Sequence, residues 1–201
     1  MELEDIMREP WTPSAETIEQ VRSMCEPVSY NKGALLVEQG KRSYHFYIIK
    51  EGLCRSFYTG EKYEDTNLFA KDGDIIGSIS AYFSNDVARF SIETLTPSDI
   101  LILSFDKLRK ALIDNVELSA WIRDLLFGQL NALELRYSYR SGRGDALFRY
   151  LKLLEKWPHK RINDIPLKYI AQYLQITPQM LCKISRLLRD ILSRLFCKAR
   201  R

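Results

Sequence analysis

Between Ala34 and Ser104 apolar, aromatic and branched residues come in short runs: ALLVE, HFYIIK, LCRSFY, TNLFA, DIIGSI, RFSIETL and DILILS. They recur about every 8 to 12 residues, the spacing of short strands joined by tight turns. Turn-forming clusters, NKG at Asn31–Gly33 and then QGKRS, EGL, TGE and KDGD, separate them. This rhythm predicts an antiparallel β-roll or jelly roll. Ahead of it, Thr12 and Pro13 suit the N-cap and first position of a helix running to about Cys25.

From Phe105 the apolar spacing lengthens, and NVELSAWIRDLLFGQLNALELRYSYR predicts one long helical segment. Two apolar stripes share it: Leu118, Trp121, Ile122 and Leu125 on one face, and Leu126, Leu130, Leu133 and Tyr137 on its neighbour. A helix apolar over so wide an arc needs two partners. The β-roll on one side and a second copy of the helix on the other would satisfy both, making this a dimerisation helix. A wholly intramolecular core helix is the alternative. A short hinge, Ser141–Asp145, follows; its Arg143-Gly144-Asp145 reads as a hinge and an Asp145 cap for the helix ALFRYLKLLEKW, not as an adhesion tripeptide.

Charge divides the chain in two. Residues 140–201 hold 15 Lys or Arg against 4 Asp or Glu, a charge of +11, whereas residues 1–139 hold 15 against 22, a charge of −7. A basic end on an acidic body is the footprint of a domain that sits on a polyanion. A solvated basic face would look the same by charge alone.

Within the basic third, PLKYIAQYLQITPQMLCKISRLL reads as two short helices broken by Gln-Ile-Thr-Pro. Taking Leu167 as the first position of a helix-turn-helix places small Ala171 where the helices approach, Ile176 after the turn, and Leu181 and Ile184 on the inner face. Thr177 caps the second helix, with Pro178 in its first turn, where a missing N–H is harmless. Gln179, Lys183 and Arg186 then point outward: Gln suits adenine, Lys the guanine acceptors, and Lys168 with the helix N-terminus suits phosphates. Gln175 is off-pattern, standing where such turns often use Gly to enter the left-handed region, at about 1 kcal/mol for any other residue.

Composition and punctuation limit the remaining classes. With 201 residues, 46% hydrophobic and 28% charged, the chain can bury a core. The opening MELEDIMREPWT has no basic or apolar leader character, and no apolar run is long enough to span a bilayer, which predicts a cytoplasmic protein with no membrane partner. Cys25, Cys54, Cys182 and Cys197 lack CxxC spacing and read as reduced thiols rather than a metal site or disulfide frame. Cys182, beside Lys183, has the setting of a redox handle or of a passive thiol.

The order of these parts resembles the cyclic-AMP receptor and fumarate-nitrate regulator (Crp/Fnr) superfamily of bacterial transcription factors: a roll carrying SYNKGALLVEQGKRSYHFYIIKEGLCRSFY and KDGDIIGSISAYF, a long helix, then IPLKYIAQYLQITPQMLCKI. The resemblance implies an α+β fold with a cyclic-nucleotide-binding-like β-roll sensor at 1–114, a dimerisation helix at 115–140 and a winged helix-turn-helix at 141–201. It also implies a homodimer on an inverted repeat of double-stranded DNA, with RNA polymerase as a further partner in some members. Cyclic-AMP binders of the superfamily carry Gly-Glu-Leu, whose Glu holds the ribose, and later an Arg followed by Ser or Thr for the cyclic phosphate. Here the triplet reads Gly77-Ser78-Ile79 and the pair Arg89-Phe90. With Tyr82 and Phe83 these residues mark an effector pocket short of a carboxylate and a hydroxyl, so cyclic AMP is not the expected effector. The effector is an unknown small molecule or none.

No cofactor is expected. Only Cys25 falls in the first fifty residues, too few thiols for an iron–sulfur cluster, and neither His45 nor His159 sits in a haem-ligand motif. One histidine in the roll is too few for a cupin-type metal enzyme, and no nucleophile–base pair stands out, so the chain is expected not to be an enzyme. A non-enzymatic interaction module whose basic tail binds RNA or acidic protein remains the alternative to a DNA-binding regulator.

Overall fold

The computed structural model describes the backbone of residues 1–138, 146–157 and 159–198, and the side chains of 1–134, 146–155, 157 and 161–189. The chain forms two compact units, Met1–Leu135 and Arg136–Arg201.

The first unit opens with α1 (Leu3–Ile6) and α2 (Ala15–Met24), followed by β1 (Cys25–Tyr30), β2 (Leu35–Val37), β3 (His45–Glu51), β4 (Leu53–Thr59), β5 (Glu64–Lys71), β6 (Ile75–Gly77), α3 (Ile79–Ser84), β7 (Ser91–Thr94) and β8 (Ser98–Ser104). These strands build two antiparallel four-stranded sheets, ordered β1-β8-β3-β6 and β2-β7-β4-β5. Alternation along β3 explains its nearly continuous apolar sequence. Ile48, with Leu101 and Leu103 of β8, packs on one face against Leu3, Ile6, Val21 and Leu108 from the helices. Tyr47 and Ile49, with Ile76 and Ile100, meet Cys54, Ala70 and Ile92 of the second sheet. A strand buried on both faces has no polar side to show.

Several boundaries differ from the sequence reading. The cap of α2 is Ser14, whose Oγ accepts from the Thr17 N–H, and not Thr12. Glu117 decides this, since its carboxylate accepts from the Ser14 N–H and hydroxyl and from the Thr17 hydroxyl. The helix stops at Met24 because Cys25 already pairs with Leu103 as the first residue of β1, a strand the sequence reading left out. The run DIIGSI ends as a strand at Gly77, where Ser78 caps α3.

After β8 come α4 (Phe105–Asp114) and α5 (Val116–Ser138). Asn115 divides them: its Oδ1 accepts from the Leu118 N–H at 2.8 Å, while its amide donates to Thr17 and Gln20. The two stripes of α5 separate as their spacing predicts. Leu118 and Trp121 are buried in the core beside the first sheet, with Ile122 and Leu125 packed against it. Leu126, Leu130 and Leu133 are exposed. The side chain of Tyr137 lies outside the described residues.

The second unit contains α6 (Ala146–Lys156), α7 (His159–Asn163), α8 (Leu167–Leu174) and α9 (Pro178–Lys198). The hinge at Ser141–Asp145 and the Asp145 cap fall outside the described residues, as does the side chain of Cys197. No strand follows α9 among the described residues, so the winged part of the expectation rests on the resemblance. Leu187 to Lys198 keeps apolar residues at helical spacing without a Gly, Pro or Asn to turn the chain, and α9 continues through them.

Candidate functional sites: a helix-turn-helix and an apolar cavity

In the second unit, Ile170, Ala171 and Leu174 of α8 are buried together with Leu181 and Ile184 of α9. These include the small and apolar positions a helix-turn-helix requires, and Ile176 is half-buried in the turn. The turn is closed by backbone bonds: the Ile176 N–H donates to the Ala171 carbonyl at 3.0 Å and the Gln175 N–H to Gln172 at 2.9 Å. That pair is the Schellman arrangement, which needs a left-handed residue at its corner. Gln175 supplies it, with φ 53° and ψ 49°. Thr177 Oγ1 accepts from the Met180 N–H at 3.2 Å, the cap that starts α9 at Pro178. Gln179, Lys183 and Arg186 are all exposed, as is Cys182 between them. Lys168 is exposed too, its ammonium 4.5 Å from the centre of the Tyr169 ring.

In the first unit, the residues assigned to an effector pocket divide into two groups. Gly77, Ile79, Tyr82 and Phe83 line a cavity of about 330 Å³ that also reaches residues of α1, α2, α4, α5 and β3. Ser78, Arg89 and Phe90 are not among its lining. Ser78 is buried, and its hydroxyl serves α3, accepting from the Ala81 N–H and meeting Ser80 Oγ at 3.2 Å. Arg89 is exposed, and Phe90 lies edge-on to Tyr58 instead.

Aromatic packing shapes the cavity wall. Tyr82 contacts Phe46, Phe105 and Phe83 at centroid distances of 5.0 to 5.2 Å, with the Arg109 guanidinium over its ring at 4.8 Å. Burial pushes the Tyr82 hydroxyl pKa up, opposed by the neighbouring Arg109 guanidinium. Trp121, deep in the wall, donates its indole N–H to the carbonyls of Met7 and Trp11. Sequence reasoning missed Leu68, Gln129 and Leu133 as lining residues, since nothing in their local pattern distinguishes a cavity wall from a core or a dimer face.

A buried ionic cluster in the second sheet also escaped the sequence. Arg55 on β4 is 2% exposed. Its Nε donates to Glu93 at 2.6 Å, and its Nη1 to Glu64 at 2.8 Å and Thr66 at 3.1 Å. Its guanidinium also covers the Phe57 ring at 4.1 Å. Burial pushes the Cys25 thiol up to about 11 and the Cys54 thiol up to about 12, so neither is a thiolate near neutral pH. Among the described residues no helix is long and apolar enough to cross a membrane.

Residues 27–115 match the family model for the cyclic nucleotide-binding domain. No curated protein matches the sequence. FixK2 from Bradyrhizobium japonicum aligns at 19% identity over 85% of each chain, with a TM-score of 0.70. The regulator CLP from Xanthomonas campestris aligns at 15% identity over 88% of this chain and 92% of its own, with a TM-score of 0.69. The catabolite activator protein of Thermus thermophilus aligns at 17% identity over 92% and 86%, with a TM-score of 0.56. By this match residues 27–115 are of the cyclic nucleotide-binding domain type, and a regulator from Eubacterium rectale described as of the Crp/Fnr family shares the fold at 15% identity over 88% of this chain and 84% of its own, with a TM-score of 0.67.

Proposed function

We propose that the protein is a homodimeric, sequence-selective DNA-binding transcription regulator whose first unit is a sensor that does not answer to cyclic AMP. The observation that carries the DNA reading is the Leu167–Ile184 arrangement, in which a capped second helix presents Gln179, Lys183 and Arg186 to solvent while Ala171, Leu181 and Ile184 are buried behind them. Lys168 and the +11 charge of residues 140–201 favour a phosphate backbone. The exposed stripe of Leu126, Leu130 and Leu133 supports self-association through α5, because an apolar row of that length on a helix calls for a partner. Against cyclic AMP stand the engaged hydroxyl of Ser78, the position of Arg89 outside the cavity lining, and Phe90 where a hydroxyl donor belongs. CLP, which shares the fold, is described as responsive to c-di-GMP, so the architecture accommodates more than one signal.

Random-site selection on duplex DNA tests this reading. The expected product is an inverted repeat with half-sites about 34 Å apart, bound less tightly as salt rises. Enrichment of no palindrome would refute it and favour a module whose basic end binds RNA or acidic protein.

A further inference from the structure

The cavity of the first unit is lined almost wholly by apolar side chains. None of its lining residues is charged. Of those with a polar side-chain N or O, Trp121 already donates to two carbonyls, which leaves the Tyr82 hydroxyl and the exposed Gln129 amide. A phosphate entering such a space would leave its hydration behind without meeting a cation or a set of donors. The volume, about 330 Å³, falls at the lower end of the range of small-molecule pockets.

Depth indicates what kind of occupant fits. The lining runs from Ile79, 51% exposed, inward to Trp121, 2% exposed. Leu126 and Leu133, on the stripe offered to a second copy, are exposed parts of the lining, whereas Leu118 and Trp121 line it at 1% and 2% exposure. We infer that this cavity binds an uncharged, predominantly apolar small molecule, aliphatic or aromatic, and that this is the chemistry the sensor unit reads. The regulatory half of that statement rests on the sensor reading above; the binding half does not.

The test is a titration of the full chain with N-phenyl-1-naphthylamine, a neutral probe that brightens in apolar surroundings. Saturable binding at one site per chain is expected, undisturbed by millimolar cyclic AMP. Decan-1-ol should displace the probe at least tenfold more effectively than decanoate, which has the same chain length and a charge. Ile79→Asp should weaken probe binding at least tenfold; it places a charge at the mouth, at an exposed first helical position where Asp is tolerated. Phe127→Ala, at an exposed position outside the lining, should leave binding unchanged. Absent saturation, equal displacement by alcohol and carboxylate, or equal losses in the two variants would each overturn the inference. Probe binding without an operator in the selection would sink the regulator reading and leave the cavity assignment standing; an operator without probe binding would do the reverse.

Discussion

Gln175→Gly should stabilise the second unit, and the turn geometry sets the size of the gain. Gln175 is the corner of the turn between α8 and α9, at φ 53° and ψ 49°. An L-residue in that region carries about 1 to 2 kcal/mol of steric strain that glycine does not. Against this stands the greater freedom of glycine in the unfolded chain, roughly 0.4 to 1 kcal/mol. Both turn-closing bonds use backbone groups, Ile176 N–H to Ala171 and Gln175 N–H to Gln172, so the substitution retains them. The Gln175 side chain is exposed, so little packing is lost. The midpoints of the two ranges leave a net gain of about 0.8 kcal/mol, which corresponds to a roughly fourfold change in an opening equilibrium. Hydrogen exchange of the amides in α8 and the first turns of α9 reads that equilibrium directly. Gln175→Gly should slow it by that factor, and Gln175→Val, β-branched at a left-handed position, should accelerate it by more. Faster exchange in the Gly variant, or an indifferent Val variant, would show that strain at the corner is not what limits this turn.

Leu130, 52% exposed on α5 and outside the cavity lining, should tolerate Glu within a monomer but not at a self-association seam, so sedimentation of Leu130→Glu is expected to show monomer where the parent shows dimer. In DNA titrations, Lys183→Ala should relax base preference at one position per half-site by about 1 to 3 kcal/mol, whereas Lys168→Ala should weaken all sequences alike and flatten the salt dependence. Asp74, half-buried in the β5–β6 turn, has its carboxyl pKa raised chiefly by desolvation, despite the bond it accepts from the Lys71 N–H at 2.8 Å. A native pKa above the unfolded one means ionisation opposes folding, so this group's contribution declines as pH rises through the native value. Asp74→Asn keeps an acceptor and removes the charge; urea denaturation should show its advantage over the parent growing from acid toward neutral pH, and an advantage independent of pH would refute this.

What the sequence revealed and what it concealed divide along the range of the determining contact. The strands of the roll are legible as short apolar runs set off by local turn residues, and the cap at Thr177 because its partner, Met180, is three residues away. The start of α2 was misplaced at Thr12 because the choice of Ser14 depends on Glu117, 103 positions along the chain. Arg55 in mid-strand reads as a solvent-facing charge until Glu64 and Glu93 arrive from neighbouring strands to hold it at 2% exposure. The effector residues were chosen by motif order, which located the stretch but not which of its side chains face the cavity.

That stretch also accounts for its own residues without a nucleotide. A Cβ on Gly77 would lie 2.4 Å from a ring carbon of Phe46, so glycine is required there by the approach of that ring across the β3–β6 pairing. Ser78 follows as the cap of α3, a role worth about 1 kcal/mol that a Glu would fill less well. The cap fixes where α3 begins and so brings Tyr82 against Phe105 and against Phe46, with which it forms part of the cavity wall. Glycine, cap and aromatic wall are thus one arrangement, each part requiring the next. Ser78→Glu alone would remove the cap while leaving Arg89 exposed and outside the lining, so this substitution is expected to give neither a stable α3 nor a phosphate site.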